Sequence, residues 1–174
     1  QKLNRGGIWY TAQSGIWQTV WLEAVPQCYV KSLHITPDFD NAAVEISAEI
    51  VGEEKAYAQF NGQNYLLPAR IPVEGFEPWT PEHPKLYGFI VFCGEDYVQS
   101  YFAMRKFSVG KDSKGVPRLF LNNAPYFHNG LLDQGYWPDG LSAAPSDDAI
   151  RADIESAKSL GFNALRLTDQ VECA

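Results

Sequence analysis

Short runs in which apolar and polar side chains alternate fill residues 27–110, and turn-forming residues separate them. The run AAVEISAEIV at residues 42–51 shows the pattern most clearly. Its aliphatic side chains from Val44 to Ile50 fall on one face of a strand, and its two glutamates fall on the other. About seven strands at this spacing predict an antiparallel β-sandwich of the immunoglobulin type.

Local signals give further expectations for this region. Alternation in YVKSLHI places Val30 on the face opposite to Leu33 and Ile35. Asn61-Gly62 predicts a tight hairpin turn. Three prolines in residues 78–84 exclude a central strand there and predict an irregular crossing before a strand at residues 86–93. Residues 7–25 are rich in tryptophan and predict an extended segment with both faces covered.

The periodicity changes after residue 110. Asn122-Asn123 predicts a hairpin turn, and residues 130–133 predict a short strand. A helix follows, with Ser146 as N-cap and Gly161 just beyond its C-terminus. Residues 162–167 form an apolar run too short for a helix, so strand, helix and strand predict one parallel βαβ unit. The apolar stripe of the helix has four members: Ile150, Ile154, Ala157 and Leu160.

Composition excludes several classes of protein. The net charge is −7 and no cluster of lysine and arginine occurs, which disfavours nucleic acid as a partner. No apolar run approaches the roughly 20 residues of a membrane-spanning helix. The three histidines are scattered and the three cysteines lack CxxC spacing, so no metal site and no cofactor is expected. Cys28 and Cys93 are expected as buried free thiols, with a bridge across the sandwich as the alternative.

The stretch NGLLDQGYWPDG at residues 129–140 has the composition of a ligand-binding loop. It contains two aromatic side chains, several hydrogen-bonding side chains and three glycines within twelve positions. Such a loop after a strand predicts recognition more than core packing, although Asp139-Gly140 is interpreted as a turn.

Four stretches of the sequence resemble glycoside hydrolase family 2, which includes β-galactosidases, β-glucuronidases and β-mannosidases. They are SGIWQTVWLEAVP, EPWTPEHPKLYGF, SYFAMRKFSV and FLNNAPYFHNGLLDQGYWPDG with DIESAKSLGFNALRL, in the order usual for that family. The resemblance implies a mainly β chain. Residues 1–25 would be the exit strand from a jelly-roll sugar-binding domain, and 26–110 the immunoglobulin-like sandwich. Residues 111–174 would be the first strand, helix and second strand of a truncated catalytic (β/α)8 barrel.

The resemblance also implies where substrate would bind. A barrel binds substrate on the loops that follow its strands, so the loop after the first strand is a candidate sugar site. Tyr136 and Trp137 can stack on a sugar ring, while Asp133 and Gln134 can bind its hydroxyls. The alternative is that the two aromatic side chains plug the top of the barrel. Family members carry an arginine where Arg166 stands, supporting the nucleophilic carboxylate; the alternative is a guanidinium that simply reaches solvent.

No catalytic residue is assigned within these 174 residues. Family members are retaining enzymes that use two glutamates, on the fourth and seventh barrel strands, which retention requires to be about 5–5.5 Å apart. Glu155 and Glu172 lack the context of such a pair. The sequence also departs from the family after Arg166, where Leu167 and the residues that follow replace an expected histidine. We therefore expect a retaining β-glycosidase fragment, of the β-galactosidase type, that is inactive in isolation.

A different class of function fits the same sequence. The sandwich could be a non-catalytic carbohydrate-binding or adhesion module, although the βαβ unit has no use in such a module. The expected partners are a carbohydrate substrate in the full-length parent and, through the exposed barrel fragment, a second copy of the chain. The sequence sets no compartment, and a periplasmic or secreted parent is compatible with it.

Overall fold

The computed structural model describes residues 11–16 and 19–167, and the chain is mainly β. Its contacts define two compact units. One spans Glu23–Phe127, and the other combines residues 128–167 with the described part of residues 11–22. Residues 19–26 form no strand, and Trp21 and Leu22 are exposed, so the strand with both faces covered that was predicted there is not found in that part. The tryptophan at position 17 lies outside the described residues.

Seven antiparallel strands form the two facing sheets of the first unit, as predicted. One sheet has the order β1-β2-β5 and comprises Tyr29–Asp38, Ala43–Val51 and Ala69–Pro72. The other has the order β4-β3-β6-β7 and comprises Gln63–Leu66 (β4), Ala56–Phe60 (β3), Tyr87–Cys93 (β6) and Asp96–Phe102 (β7). Buried side chains from both sheets, among them Ile46, Ile71, Val91 and Phe102, form one hydrophobic core between them. The sandwich is therefore confirmed.

Alternation in β2 follows the predicted pattern. Val44 and Ile46 are buried in the core, while Glu45 between them is exposed. Each such aliphatic side chain contributes about 1.5–3 kcal/mol when fully buried, so the pattern fixes which face of the strand meets the second sheet.

The face predicted for Val30 is wrong, because β1 contains a β-bulge. Val30 pairs with Ile50 and Ser32 pairs with Glu49, which leaves Lys31 as an extra residue. One inserted residue reverses the alternation. Val30 therefore packs against the same core as Leu33.

Turn residues lie where the sequence places them. Asn61 and Gly62 join β3 to β4 with φ values of 49° and 76°, as the predicted two-residue hairpin requires. Residues 73–86 form no strand, which confirms the irregular crossing before β6. The crossing is fixed to the sandwich by the Trp79 N–H group, which donates to the Met104 carbonyl at 2.9 Å.

A third sheet completes the first unit. Its strands are β8 (Phe107–Lys111), β9 (Pro117–Leu121) and β10 (Ala124–Pro125), in the order β10-β9-β8. Asn122 and Asn123 form the predicted turn with φ values of 52° and 66°. The side chain of Asn123 donates to Asp40 Oδ1 at 2.7 Å, and Lys106 pairs with the same carboxylate. The expected boundary at residue 110 falls within β8, and the domain assignment stays a prediction.

The second unit contains one strand–helix–strand segment. Strand β11 (Gly130–Asp133) pairs in parallel with β12 (Ala164–Leu167), and helix α1 (Asp147–Ser159) connects them. Ser146 caps the helix by accepting the Ala149 N–H group at 3.2 Å, and Gly161 beyond its end has a φ of 88°. The predicted βαβ connectivity is present in this unit.

The apolar stripe of α1 is only partly covered. Ala157 is buried, whereas Ile154 is 48% and Leu160 is 75% exposed. The two-stranded sheet is too narrow to cover the whole apolar stripe of α1. In a complete parallel sheet, further strands and helices would cover the rest of it.

Candidate functional site

The five predicted substrate-binding residues lie toward one edge of the two-stranded parallel sheet. Asp133 is the last residue of β11, and the loop with Gln134, Tyr136 and Trp137 follows it. Asp133 pairs with Leu167, and Arg166 directly precedes that residue in β12. Parallel strands end at the same edge, so the loop and Arg166 share the carboxyl end of the sheet.

Asp133 organises the start of the loop. Its Oδ1 atom accepts the backbone N–H group of Gly135 at 2.8 Å, which forms an Asx turn. Gly135 itself has a φ of 57°. An ionised carboxylate has about four acceptor positions, so this one bond leaves Asp133 able to accept further donors.

A small closed turn holds Trp137. Its N–H group donates to the Leu141 carbonyl at 2.8 Å, and the Leu141 N–H group donates back at 3.1 Å. Gly140 within the turn is sterically required, since a Cβ atom there would lie 1.9 Å from the Ala143 carbonyl oxygen. Asp139 accepts the Gly140 N–H group at 2.9 Å, which agrees with its interpretation as a turn residue.

A groove of about 590 Å³ lies between this loop, the sheet and the helix. Asp133, Gln134 and Tyr136 are among its lining residues. The rest of its wall is mostly apolar and includes Leu131, Leu165, Ala157 and Leu160. The groove therefore gathers three of the five predicted residues beside an apolar surface, while Trp137 and Arg166 do not line it.

Arg166 occupies the other face of the sheet. Leu131 and Leu165 are register partners that line the groove beside α1. Side chains alternate along a strand, so Arg166, which follows Leu165 in β12, lies on the face away from the helix. Arg166 is exposed, as its alternative interpretation expected. Its assignment to a substrate site, like that of the four loop residues, stays a prediction.

The glutamates and the potential metal ligands considered in the sequence form no site within the described residues. Glu155 is exposed on α1, and Glu172 lies outside the described residues. Within residues 11–16 and 19–167, no three side chains of His, Cys, Asp or Glu cluster as a metal site would require. The same residues contain no helix with the length and hydrophobicity of a membrane span.

The outer face of the four-stranded sheet carries an uncharged surface that was not predicted from the sequence. Register places the side chains of one row side by side across four strands: Leu66, Tyr57, Phe92 and Tyr97. The neighbouring row carries mainly amides: Asn64, Gln59, Ile90 and Gln99. We call these eight residues the aromatic–amide face. Its signal in the sequence was the absence of charge at the outward positions of these strands.

The exposed rings make the aromatic–amide face accessible. Tyr57 is 40% exposed and Tyr97 is 62% exposed. Gln59 Nε2 donates to Asn64 Oδ1 at 3.2 Å, which holds two amides of the second row together. A row of aromatic rings beside a row of amides combines flat apolar surface with hydrogen-bonding groups.

Charged side chains cluster instead at the turn that follows β1. Hydrogen bonds from Arg70 and Asn41 hold the pKa of Asp38 below its ordinary value. The Asn123 amide, followed by the Lys106 ammonium, lowers the pKa of Asp40. Because each of these carboxylates already has protein donors, the cluster is explained by its structural contacts.

Comparison with known proteins identifies the fold. No family model and no curated protein matches the chain. Its structure superimposes on a family 2 β-galacturonidase from Eisenbergiella tayi with a TM-score of 0.72 and 18% identity over 84% of this chain. A β-glucuronidase from Ruminococcus gnavus gives 0.73, 15% and 84%, and one from Faecalibacterium prausnitzii gives 0.71, 16% and 83%.

The chain spans only 25–29% of the length of these three structures. Identity at this level carries the fold and leaves substrate and activity open to proposal. The mainly β fold and the sandwich that the resemblance implied are thereby confirmed, and the start of a barrel stays a prediction: this chain has the fold of a segment of family 2 glycoside hydrolases.

Proposed function

We propose that the chain is a segment of a retaining family 2 glycoside hydrolase that cleaves β-linked glycosides. The observation that carries the proposal is the order of its parts. A seven-stranded sandwich precedes a parallel βαβ unit, and 84% of the chain superimposes on the family 2 galacturonidase. Sequence motifs in the same order support it independently.

Each part then has a place in the parent enzyme. Residues 1–25 leave a jelly-roll domain, residues 26–110 form the immunoglobulin-like domain, and residues 111–174 begin the catalytic barrel. Strand β11, helix α1 and strand β12 would be the first strand, first helix and second strand of that barrel. Their parallel register and single connecting helix support this assignment.

The proposed barrel gives the candidate residues distinct roles. Loop residues Asp133, Gln134, Tyr136 and Trp137 follow the first strand, on the side where barrel enzymes bind substrate. Arg166 lies on the sheet face away from α1, which is the face that points into a barrel. There its guanidinium would support a carboxylate supplied by a later strand, because arginine binds carboxylates through paired N–H groups.

The 174-residue chain alone is proposed to be inactive. Retention needs two carboxylates about 5–5.5 Å apart, one as acid/base and one as nucleophile. Glu155, the helix glutamate considered as a candidate, is exposed on α1 and outside the groove. The catalytic pair would therefore come from parts of the parent beyond these residues.

The role of Arg166 can be tested in the complete product of the gene. We expect Arg166→Ala to lower kcat for nitrophenyl β-glycosides by about 10²-fold or more, as loss of a charged group supporting a transition state does. Galactosides, glucuronides, galacturonides and mannosides should be compared. Arg151→Ala, an exposed arginine on α1, is the matched control and should leave kcat unchanged. Equal effects of the two substitutions would contradict the assigned role.

We propose carbohydrate binding without catalysis as the second candidate function, because of the aromatic–amide face. Its tyrosine rings can stack on sugar rings, and its amides can bind hydroxyl groups. An uncharged face on a chain of net charge −7 favours a neutral glycan. A glycan array should show binding that Tyr97→Ala abolishes and the exposed control Val109→Ala preserves. Absence of binding to every neutral glycan would eliminate this candidate.

A further inference from the structure

Two cysteines meet at one end of the sandwich, in a place that the proposed function does not use. The Sγ atoms of Cys28 and Cys93 lie 3.1 Å apart, and both are free thiols. Cys28 immediately precedes β1, and Cys93 is the last residue of β6. The two thiols therefore meet between the two sheets, although Cys28 and Cys93 are 65 residues apart in sequence.

The surrounding backbone holds Cys28 in position. Gly52 packs so closely that a Cβ atom there would lie 2.8 Å from Cys28 Sγ and 3.0 Å from its Cα. Two residues further along, the Val30 N–H group donates to Asp96 Oδ2 at 2.9 Å, which ties β1 to β7 at the same end of the sandwich. These contacts fix the two thiols against each other, so little movement is needed to reach the 2.05 Å of a disulfide bond.

We propose that Cys28 and Cys93 are a thiol-oxidation site that closes to an inter-sheet disulfide when the chain meets a disulfide oxidant such as oxidised glutathione. Each cysteine has a distinct part. Cys28 keeps part of its surface exposed, whereas Cys93 has no exposed surface. The oxidant therefore meets Cys28 first.

The reaction balances in two exchange steps. The Cys28 thiolate attacks one sulfur of oxidised glutathione, forming a mixed disulfide and releasing one glutathione thiolate. The Cys93 thiolate then attacks Cys28 Sγ, and the second glutathione thiolate leaves. The protein loses two electrons and two protons, and the oxidant becomes two molecules of reduced glutathione.

The second step should control the rate. Burial, with a smaller contribution from the Cys28 hydrogen bond, raises the pKa of Cys93 to about 12. Below that value the thiolate fraction rises about tenfold for each pH unit, so closure of the mixed disulfide should accelerate in the same proportion. The mixed disulfide should accordingly accumulate near pH 7 and convert about a hundredfold faster near pH 9.

The test uses the whole chain with Cys173→Ser, which removes the third thiol, treated with oxidised glutathione at pH 7 and pH 9. Mass spectrometry should find one glutathionyl group first and then a cystine linking residues 28 and 93. Adding Cys93→Ser should stop the reaction at the glutathionylated protein, and adding Cys28→Ser should prevent any adduct. The cystine should raise Tm by at least about 5 °C.

Several results would overturn the proposal. They are the absence of cystine at pH 9, closure at a rate independent of pH, and glutathionylation of the Cys28→Ser variant. Circular dichroism of each variant checks its folding. If a serine variant does not fold, the peptide map and pH profile of the Cys173→Ser chain decide the question alone.

Discussion

At the scale of single residues, backbone geometry explains where this fold tolerates no change. Gly52 has a φ of +108° and also packs against Cys28, so two independent constraints exclude a side chain there. Gly62 has a φ of +76°, yet a Cβ atom at that position would meet nothing within 4 Å. The two glycines thus separate the cost of an unusual backbone conformation from the cost of a steric clash.

We predict that Gly52→Ala lowers the free energy of unfolding by about 2–4 kcal/mol, because strain and overpacking add. Gly62→Ala should cost only about 1 kcal/mol, since strain acts there alone. Urea unfolding of both variants measures the difference. Equal losses would show that the contact between Gly52 and Cys28 has no energetic weight.

Residue types with strong conformational preferences were also the most predictable. Asn61, Gly62, Asn122 and Asn123 all adopt the positive φ values that their turns require, and such preferences are local. The face of Val30 was not predictable in the same way. The bulge at Lys31 arises from pairing with β2, and nothing in the local sequence marks it.

At the scale of elements, a few side chains connect the third sheet to the turn after β1. Asp40 accepts from the Asn123 amide and pairs with Lys106, and Asn122 Oδ1 accepts the Lys106 N–H group at 3.0 Å. The side chain of Asn122 also donates to the Trp79 carbonyl at 2.9 Å. These bonds join the turn of β9 and β10 to the irregular crossing and to the sandwich.

We predict that acid weakens this connection. The pKa of Asp40 is lowered in the folded chain, so its contribution to stability is present above the unfolded value of about 3.9 and is lost as pH falls through the folded value. Tm measured from pH 6 to pH 2 should fall less steeply in Asp40→Asn than in the parent chain. Glu53→Gln, an exposed carboxylate elsewhere, is the control. An unchanged slope in Asp40→Asn would contradict the prediction.

In the candidate site, the strand and the helix could be predicted from the sequence, but the backbone hydrogen bonds within the loop could not. Strand β11 begins and ends where the sequence placed it, and Ser146 caps α1 as expected. The turn that holds Trp137 depends on backbone hydrogen bonds with Leu141, which no residue pattern specifies. The strand expected before residue 26 failed for a related reason, because a strand needs a partner and the local sequence does not supply one.

At the scale of the whole molecule, the two compact units differ in how well they are covered. The hydrophobic core lies wholly within Glu23–Phe127 and draws on both sheets of the sandwich. In the other unit, Ala157 is the one residue of α1 that is buried. Leu131 and Leu132 of β11 are 40% and 53% exposed.

We predict that residues 23–127 fold on their own. This unit contains the entire core, and a single core gives one cooperative transition in domains of this size. Thermal unfolding followed by circular dichroism and by tryptophan fluorescence should give coincident curves. A molten or insoluble product would contradict the prediction.

We also predict that the full chain self-associates through its βαβ unit. Leu131, Leu132 and Leu160 are exposed, and each contributes about 1.5–3 kcal/mol when fully buried. Sedimentation should show a dimer or larger species for the full chain and a monomer for residues 23–127. A monomeric full chain at high concentration would show that this surface does not drive association.

The central proposal is that this chain holds the start of a glycosidase barrel and none of its catalytic carboxylates. Its most direct test compares the 174-residue chain with the complete product of its gene on nitrophenyl β-galactoside, β-glucuronide, β-galacturonide and β-mannoside. We predict no turnover by the chain, and hydrolysis with retained anomeric configuration by the complete product. Turnover by the chain that is lost when one of its own carboxylates, such as Glu155, is replaced would contradict the account.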